Sequence, residues 1–348
     1  MGSVPYSVDP DITVASTLPG AFYSDAGMFE RMRGRVFART WQWLGTLDDV
    51  AAPESLAPRT LLPGYLDEPL LLARDAEGTL RCLSNVCTHR GNILVPAPCR
   101  AQQIRCGYHS RRFDLAGRMT FMPEFKEAKN FPAASDDLPR VAFGEWEGQA
   151  FASLDPVAPF DAFFREALAS VVGDPVAQLT HDSSRDREFL VNANWALYVE
   201  NYLEGFHIPF VHASLNEVVD YAGYSSELHR YSNLQAANDK QGRLAARYWW
   251  IFPNLMLNFY PWGLSLNLVE PQAIDRTRVL FRSFVWDESK LETGAGTGLD
   301  RVEAEDEAIV EAVQRGVRSR LYRSGRYSPA RELGVHHFHR LLCEFLEE

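Results

Sequence analysis

The sequence has few cysteines, no concentration of positive charge and no long apolar run. Its 348 residues include 35 lysine and arginine residues against 46 acidic residues, which gives a net charge of −11. Nucleic acid and anionic membrane surfaces are therefore excluded as expected partners. No apolar stretch is long enough for a membrane span, and the N-terminal MGSVPYSVDP lacks the basic and apolar regions of a secretory signal. We expect a cytoplasmic protein.

The sequence has five cysteines, and an odd number cannot all pair with one another. In a cytoplasmic chain we do not expect them to form a disulfide framework. Burial or metal ligation is the expected use of their thiols, and the spacing decides which applies to each. The five positions are Cys82, Cys87, Cys99, Cys106 and Cys343.

The chain is long enough for two domains, each with its own core. Residues 1–42 contain apolar residues at helical spacing after an N-cap at Ser24 or Asp25. Residues 43–151 consist of short strand-like runs separated by glycine and proline, which predicts a small all-β domain. Residues 152–348 combine helical patterns with long alternating strands, which predicts an antiparallel sheet covered by helices.

Three local features punctuate this pattern. The sequence at Asp75–Gly78 predicts a hairpin turn between two strands. The glycine-rich stretch Leu291–Asp300 predicts a flexible loop. A final long helix is predicted after it, from about Arg301 to Leu321.

Two short loops of the β domain each supply one cysteine and one histidine. Cys87-Thr-His89 is followed by Cys106-Gly-Tyr-His109. An iron–sulfur cluster with two thiolates on one iron and two imidazoles on the other needs this supply. A structural zinc is the alternative, but it usually takes two cysteines from one knuckle and two histidines from another. Cys82 and Cys99 are interpreted as small buried or loop residues.

A second polar set lies in residues 192–212, NANWALYVENYLEGFHIPFVH, where apolar residues recur at helical spacing. His207 follows Glu204 by three residues, so we expect both on the same side of this helix. Pro209 then interrupts the helix, and the chain can turn to bring His212 close to His207. Two imidazoles and a carboxylate with open positions form the facial triad of non-haem Fe(II) oxygenases. The helix also carries three polar groups that are costly to bury without a function: Glu200, Asn201 and Glu204.

The last predicted helix offers the carboxylate. An apolar stripe formed by Ile309, Val310, Val313, Val317 and Leu321 places Asp306 at its centre, so Asp306 is the predicted ligand. Glu303 is the alternative, one turn earlier. Favourable interaction with the helix N-terminus accounts for the remaining acidic residues, Glu305 and Glu307.

Both constellations resemble one family. CTHRGN and CGYHSRRFDLAGR resemble the Rieske motif of the oxygenase type, although Ser110 and Arg111 stand where many oxygenases have Gly-Trp. NW-x4-EN-x2-E-x2-H-x4-H and EDEAIVEAVQRG resemble the catalytic domain of Rieske oxygenases. The resemblance implies an α+β fold, with a Rieske [2Fe-2S] domain at 43–151 and a helix-grip (START-like) catalytic domain at 152–348. Residues 1–42 would pack on the catalytic domain.

The resemblance also implies ligands and partners. The cluster would be held by Cys87, His89, Cys106 and His109. The mononuclear Fe(II) would be held by His207, His212 and Asp306. Asn201 and Glu204 would be catalytic, and Glu204 would bridge His207 to His109 of a neighbouring subunit in a head-to-tail homotrimer. Electrons would come from a separate NAD(P)H-dependent reductase, with or without a ferredoxin, because the chain has no nucleotide-binding glycine loop.

The segment YWWIFPNLMLNFYPWGLSLNLVEP is similar to the branch of choline, glycine betaine and carnitine oxygenases. Trp249, Tyr260 and Trp262 could then form a cage for a quaternary ammonium ion. The alternatives are oxidation of an aromatic acid, a Rieske electron carrier without a second iron, and a zinc-stabilised lipid-binding module. The histidines at 336, 337 and 339 are interpreted as solvated or locally hydrogen-bonded, not as metal ligands.

Overall fold

A computed structural model of the chain describes residues 6–291 and 298–347. The chain divides into two compact units, Ala38–Phe160 and the combination of Met1–Phe37 with Asp161–Glu348. Most of the predicted loop at Leu291–Asp300 lies outside the described residues. Within the described part, none of the helices is both long and apolar enough to cross a bilayer.

The smaller unit is built from three antiparallel sheets, with strand orders β1-β10-β9, β4-β3-β2-β5 and β6-β7-β8. The predicted turn at Asp75–Gly78 joins β3 to β4 and is confirmed, because Arg74 pairs with Leu80 across it. The strands are β1 Gln42–Thr46, β2 Ser55–Leu61, β3 Glu68–Arg74, β4 Leu80–Ser84, β5 Cys99–Arg100, β6 Ile104–Arg105, β7 Arg112–Phe113, β8 Met119–Phe121, β9 Ala142–Trp146 and β10 Gln149–Ser153.

The larger unit contains an eight-stranded antiparallel sheet in the order β11-β18-β17-β16-β15-β14-β13, with β12 also paired to β18. Its strands are β11 Thr180–His181, β12 Arg187–Val191, β13 Ser225–Leu228, β14 Ser232–Asn238, β15 Leu244–Ile251, β16 Leu255–Tyr260, β17 Gly263–Ala273 and β18 Arg276–Val285. The helices are α1 Ala26–Arg35, α2 Phe160–Phe163, α3 Arg165–Ser170, α4 Trp195–Tyr202, α5 Ile208–Val211, α6 Ala213–Val218, α7 Leu299–Val317 and α8 Leu333–Glu347.

Two helix predictions need correction. The Asp25 carboxylate caps α1 by accepting from the Met28 N–H, but α1 ends at Arg35 and a short 3-10 turn follows. The helix predicted as the last one, α7, ends at Val317, and α8 comes after it. The histidine-rich C-terminus therefore belongs to an amphipathic helix whose apolar residues are buried.

The pleat of the large sheet decides which residues face the candidate site. Tyr248 in β15 pairs with Asn258 in β16, and Tyr260 lies two residues further along, so all three project from one face. Trp249 is the next residue after Tyr248 in β15, so its side chain projects from the opposite face.

Candidate metal centres and substrate cavity

Four residues of the small unit come together at two loops. Cys87 and Cys106 are buried, and their thiols are in hydrogen-bonding contact. The ring centroids of His89 and His109 are 4.8 Å apart. The structure thus brings together the two thiols and two imidazoles that the sequence analysis selected.

Both loops stabilise negative charge on the sulfur of Cys106. The Tyr108 N–H donates to Cys106 Sγ at 3.5 Å, and the Asn92 amide donates to the same sulfur at 3.8 Å. Burial acts to raise the pKa of the Cys106 thiol, but these hydrogen bonds and the Cys87 thiol lower it by more. Nδ1 of His109 is buried with no partner in the described part of the chain. This donor set fits a cluster with paired thiolate and imidazole ligands.

Ser110 and Arg111, the two residues that depart from the oxygenase motif, each have specific contacts in the structure. Ser110 has a φ of 60°, in the left-handed region that favours glycine. Its hydroxyl oxygen accepts from Arg105 at 2.9 Å. Arg111 is 2% exposed and makes an ion pair with Asp136, so a buried charge occupies the place of an indole.

The second candidate centre converges on one carboxylate oxygen. Asp306 Oδ1 lies 3.0 Å from His212 Nε2 and 3.5 Å from His207 Nε2. One ligand atom from each of the three residues lies within 4.8 Å of the others. Two imidazole nitrogens and one carboxylate around a common point fit the facial arrangement of a non-haem iron site.

A second layer of hydrogen bonds orients these groups. Glu204 Oε1 lies 2.6 Å from His207 Nδ1, and Glu305 Oε2 lies 2.9 Å from His212 Nδ1. The Asn201 amide donates to Asp306 Oδ1 at 2.6 Å. Because each Nδ1 faces a carboxylate, each Nε2 is left for the metal. The interpretation of Glu305 as a residue that only favours the helix N-terminus is wrong, since it supports a candidate ligand.

Glu204 and His207 meet through a turn rather than along a helix. The predicted helix through residues 192–212 ends at Tyr202, and Glu204 accepts hydrogen bonds from the N–H groups of Phe206 and His207. The carboxylate therefore caps the entry to α5, which begins after His207 with proline in its first turn. The sequence correctly indicates a break near Pro209, but the break begins earlier.

The apolar stripe that selected Asp306 is only partly buried, at Val310 and Val317. Ile309 and Val313 are each 41% exposed, and Leu321 lies beyond the helix at 93% exposure. The buried positions of α7 are Glu303, Val310, Gln314 and Val317. Two of these are polar: Tyr198 donates to Glu303, and the Asn194 N–H donates to the side-chain oxygen of Gln314. Because half of the buried positions are polar, a hydropathy pattern does not identify the inward face of α7.

A cavity above the large sheet reaches His207, His212 and Asp306, and its empty volume, including the open mouth, is about 880 Å³. Five tyrosines line it: Tyr198, Tyr202, Tyr224, Tyr248 and Tyr260. The predicted aromatic cage is wrong for Trp249, which is buried on the other face and donates to Ser170, whereas Tyr260 lines the cavity. Trp262 stacks behind Tyr260, with ring centroids 5.2 Å apart.

A buried network behind α4 was not predicted from the sequence. Tyr23 donates to Glu200 Oε1 at 2.7 Å, and His339 Nε2 lies 3.0 Å from the same oxygen, an ion-pair distance without hydrogen-bond alignment. His339 Nδ1 lies 2.6 Å from the Tyr327 hydroxyl. His336 contacts the Asp9 carbonyl at 2.8 Å. Of the two predicted alternatives, solvation does not apply to these two histidines, because both are buried and in contact with polar groups.

Comparison with known families agrees with both halves of the chain. Residues 40–132 match the Rieske [2Fe-2S] domain, and residues 174–231 and 221–348 match the catalytic domain of the ring hydroxylating alpha subunit. The protein is the oxygenase component of a Rieske non-haem iron enzyme. The chain belongs to the ring-hydroxylating alpha-subunit family, with a Rieske cluster and a mononuclear iron as its cofactors. The predicted family, fold class, enzyme class and cofactors are confirmed.

Comparison with individual proteins shows which members of this family the chain resembles. Choline monooxygenase of Arabidopsis thaliana is 30% identical, covering 96% of this chain and 84% of the relative. The carnitine monooxygenase oxygenase subunit of Escherichia coli is 27% identical, covering 96% and 95%. The solved quaternary ammonium Rieske monooxygenase CntA in complex with L-carnitine shares the fold, with a TM-score of 0.79, 24% identity and full coverage of both chains.

Proposed function

We propose that this oxygenase hydroxylates a C–H bond beside the nitrogen of a small quaternary ammonium compound, with electrons from a separate NAD(P)H-dependent reductase. The observation that carries the proposal is the tyrosine-lined cavity that leads to His207, His212 and Asp306. Relatives named for choline and carnitine support the same substrate class.

The tyrosine hydroxyls of the cavity are largely occupied by its own walls. Tyr198 donates to Glu303, Tyr202 donates to Asn258, and Tyr224 donates to Gln235. The hydroxyls of Tyr248 and Tyr260 bond to each other. What remains for a ligand is mainly aromatic ring surface, which attracts a cation that cannot itself donate hydrogen bonds.

Glu303, an acid in the cavity wall, can also favour the binding of a cation. Burial raises the pKa of Glu303 to about 8, so its carboxyl group is mostly neutral at pH 7. A cation nearby favours the ionised form of an acid. Glu303 therefore avoids an uncompensated charge in the empty cavity and can supply one when a quaternary ammonium ion enters.

The reaction divides the work between cofactors and residues. The iron and the cluster, when bound, supply dioxygen activation and single electrons. His207, His212 and Asp306 hold the iron, while Asn201 fixes the Asp306 carboxylate and Glu204 fixes the His207 ring. The cavity tyrosines hold the substrate and exclude water from it. The cluster ligands are Cys87, His89, Cys106 and His109.

Glu204 has a second role in an oligomer. Its Oε1 faces His207 Nδ1, and its other oxygen accepts from backbone N–H groups. In a head-to-tail homotrimer, this carboxylate would join His207 to His109 of the partner subunit. The buried Nδ1 of His109 suits the cluster, which leaves Nε2 of the same ring as the donor for such a contact.

Metal analysis followed by a substrate screen tests the proposal. We expect about three iron and about two acid-labile sulfide per chain in protein purified without oxygen, with a Rieske EPR signal after reduction. Choline, carnitine and glycine betaine should accelerate oxidation of a supplied reductase, with formation of a hydroxylated or demethylated product. About two iron per chain that Fe(II) does not increase would indicate an electron carrier. Zinc without sulfide would exclude an oxygenase.

Replacing Tyr248 should separate cation attraction from shape. Loss of the ring in Tyr248→Leu removes about 1 kcal/mol of cation–π attraction, so KM for the best quaternary ammonium substrate should rise about fivefold. Tyr248→Phe keeps the ring and should retain most of the affinity. Steady-state kinetics with both variants give the comparison.

The control is a substrate analogue in which a neutral tert-butyl group replaces trimethylammonium. Its binding should depend little on whether position 248 carries an aromatic ring. An equal loss of affinity for the charged and neutral compounds in Tyr248→Leu would show that shape alone selects the substrate.

A further inference from the structure

We propose that Arg111 and Asp136 form a buried ion pair that fastens the two cluster loops together and raises the reduction potential of the cluster. The inference rests on the proposed cluster ligands, because its subject is the surroundings of those residues. It concerns the position at which this chain departs from the Gly-Trp of many oxygenases.

The Arg111 guanidinium is enclosed on several sides. The side chain is 2% exposed, and Nη2 donates to Asp136 Oδ1 at 2.6 Å and to the Asp136 carbonyl oxygen at 3.1 Å. The guanidinium carbon lies 5.7 Å from the ring centroids of both Phe113 and Phe131. A planar cation held by a carboxylate and two aromatic rings has a fixed position.

The ion pair contacts both ligand loops. The Thr88 hydroxyl, between Cys87 and His89, donates to the Asp136 carbonyl oxygen at 2.7 Å. Arg111 reaches the same carbonyl from the other loop, and its own carbonyl oxygen accepts from the Cys106 N–H at 2.8 Å. One backbone carbonyl thus joins the two loops that carry the candidate ligands.

The two charges of the pair are unequally screened. Asp136 is 20% exposed, so solvent weakens its field, whereas Arg111 is almost fully enclosed. A guanidinium also stays protonated under all ordinary conditions. The net effect at the cluster is therefore positive. A positive potential favours the reduced cluster, which carries one more electron, and so raises its reduction potential.

Removing the positive and the negative charge in separate variants shows whether charge or packing sets the reduction potential. Arg111→Gln should lower the reduction potential, and Asp136→Asn should raise it, because each removes one sign of charge. Arg111→Lys should stay close to the wild-type potential. The potentials are measured by redox titration of the complete protein, followed by EPR and visible circular dichroism. Arg112→Gln is the control, since that neighbouring arginine lies over the half-exposed ring of Phe121 and should leave the potential unchanged.

The outcomes separate this inference from the function on which it rests. Shifts of the same direction in Arg111→Gln and Asp136→Asn would mean that loosened loops, not charge, set the potential, and would overturn the inference. An unchanged potential in both variants would do the same. If Arg111→Gln loses its cluster, Asp136→Asn and Arg111→Lys still test the predicted order. Absence of a Rieske signal in the wild-type protein would instead reject the proposed ligands.

Discussion

Replacing Asp306 with alanine should abolish turnover while leaving the Rieske cluster intact. Asp306 supplies the only carboxylate oxygen within the described group of candidate ligand atoms around His207 and His212. Its loss leaves two imidazoles, which hold Fe(II) poorly. We expect iron to fall from about three to about two per chain, and kcat/KM to fall by more than about a thousandfold.

Glu307→Ala is the matched control for this experiment. It removes a carboxylate from the next residue of the same helix, outside the candidate ligand group, and should keep both the iron and most of the activity. Iron and sulfide analysis, EPR and turnover are measured on both variants. Asp306→Ala protein that keeps about three iron would transfer the ligand role to Glu303, and Glu303→Ala would then have to lose the metal.

The two loops of the Rieske motif were predictable because their candidate ligands are close in sequence. Cys87 with His89, and Cys106 with His109, are each held within one turn, so spacing alone indicates the chemistry. The contact between the loops through Asp136 was not predictable. It depends on a carbonyl and a buried arginine that no local pattern connects to the ligands.

In the larger unit, the sequence predicts the antiparallel sheet but not which face holds the substrate. Tyr248 and Trp249 are adjacent aromatic residues in a strand that is buried on both sides, so hydropathy does not distinguish them. Only the pairing of Tyr248 with Asn258 assigns the tyrosine to the cavity face. The choice of Asp306 has a similar basis: the structure brings its carboxylate beside His207 and His212, yet the stripe that suggested it is exposed at Ile309 and Val313.

Glu204→Gln should preserve both metal centres but slow reoxidation of the reduced cluster and turnover by about a hundredfold, since residues that orient a metal ligand typically contribute 10–100-fold. The carboxylate accepts from two backbone N–H groups and faces His207 Nδ1, which an amide can only partly replace. The measurements are iron content and single-turnover oxidation of the reduced protein with substrate and O2. Wild-type rates in the variant would reject the bridging role.

Mixed oligomers should show whether Glu204 acts between subunits. Cys106→Ala removes the cluster and Asp306→Ala removes the mononuclear iron, so neither variant should turn over alone. In a head-to-tail ring assembled from equal amounts of both, about one quarter of the interfaces join an intact cluster to an intact iron site, and turnover should recover to that extent. Failure to recover in verified mixed oligomers would place the electron transfer within one chain.

The position of a second substitution in the mixed oligomer identifies the acting carboxylate. Glu204 contacts His207 of its own chain, so we expect it to serve the iron of that chain. Adding Glu204→Gln to the Cys106→Ala chain, which keeps the working iron, should abolish the recovered turnover. The same substitution in the Asp306→Ala chain should have no effect, because only the cluster of that chain is used. Equal effects in both chains would mean that Glu204 supports the fold generally, since a bridge at one interface depends on which subunit carries it.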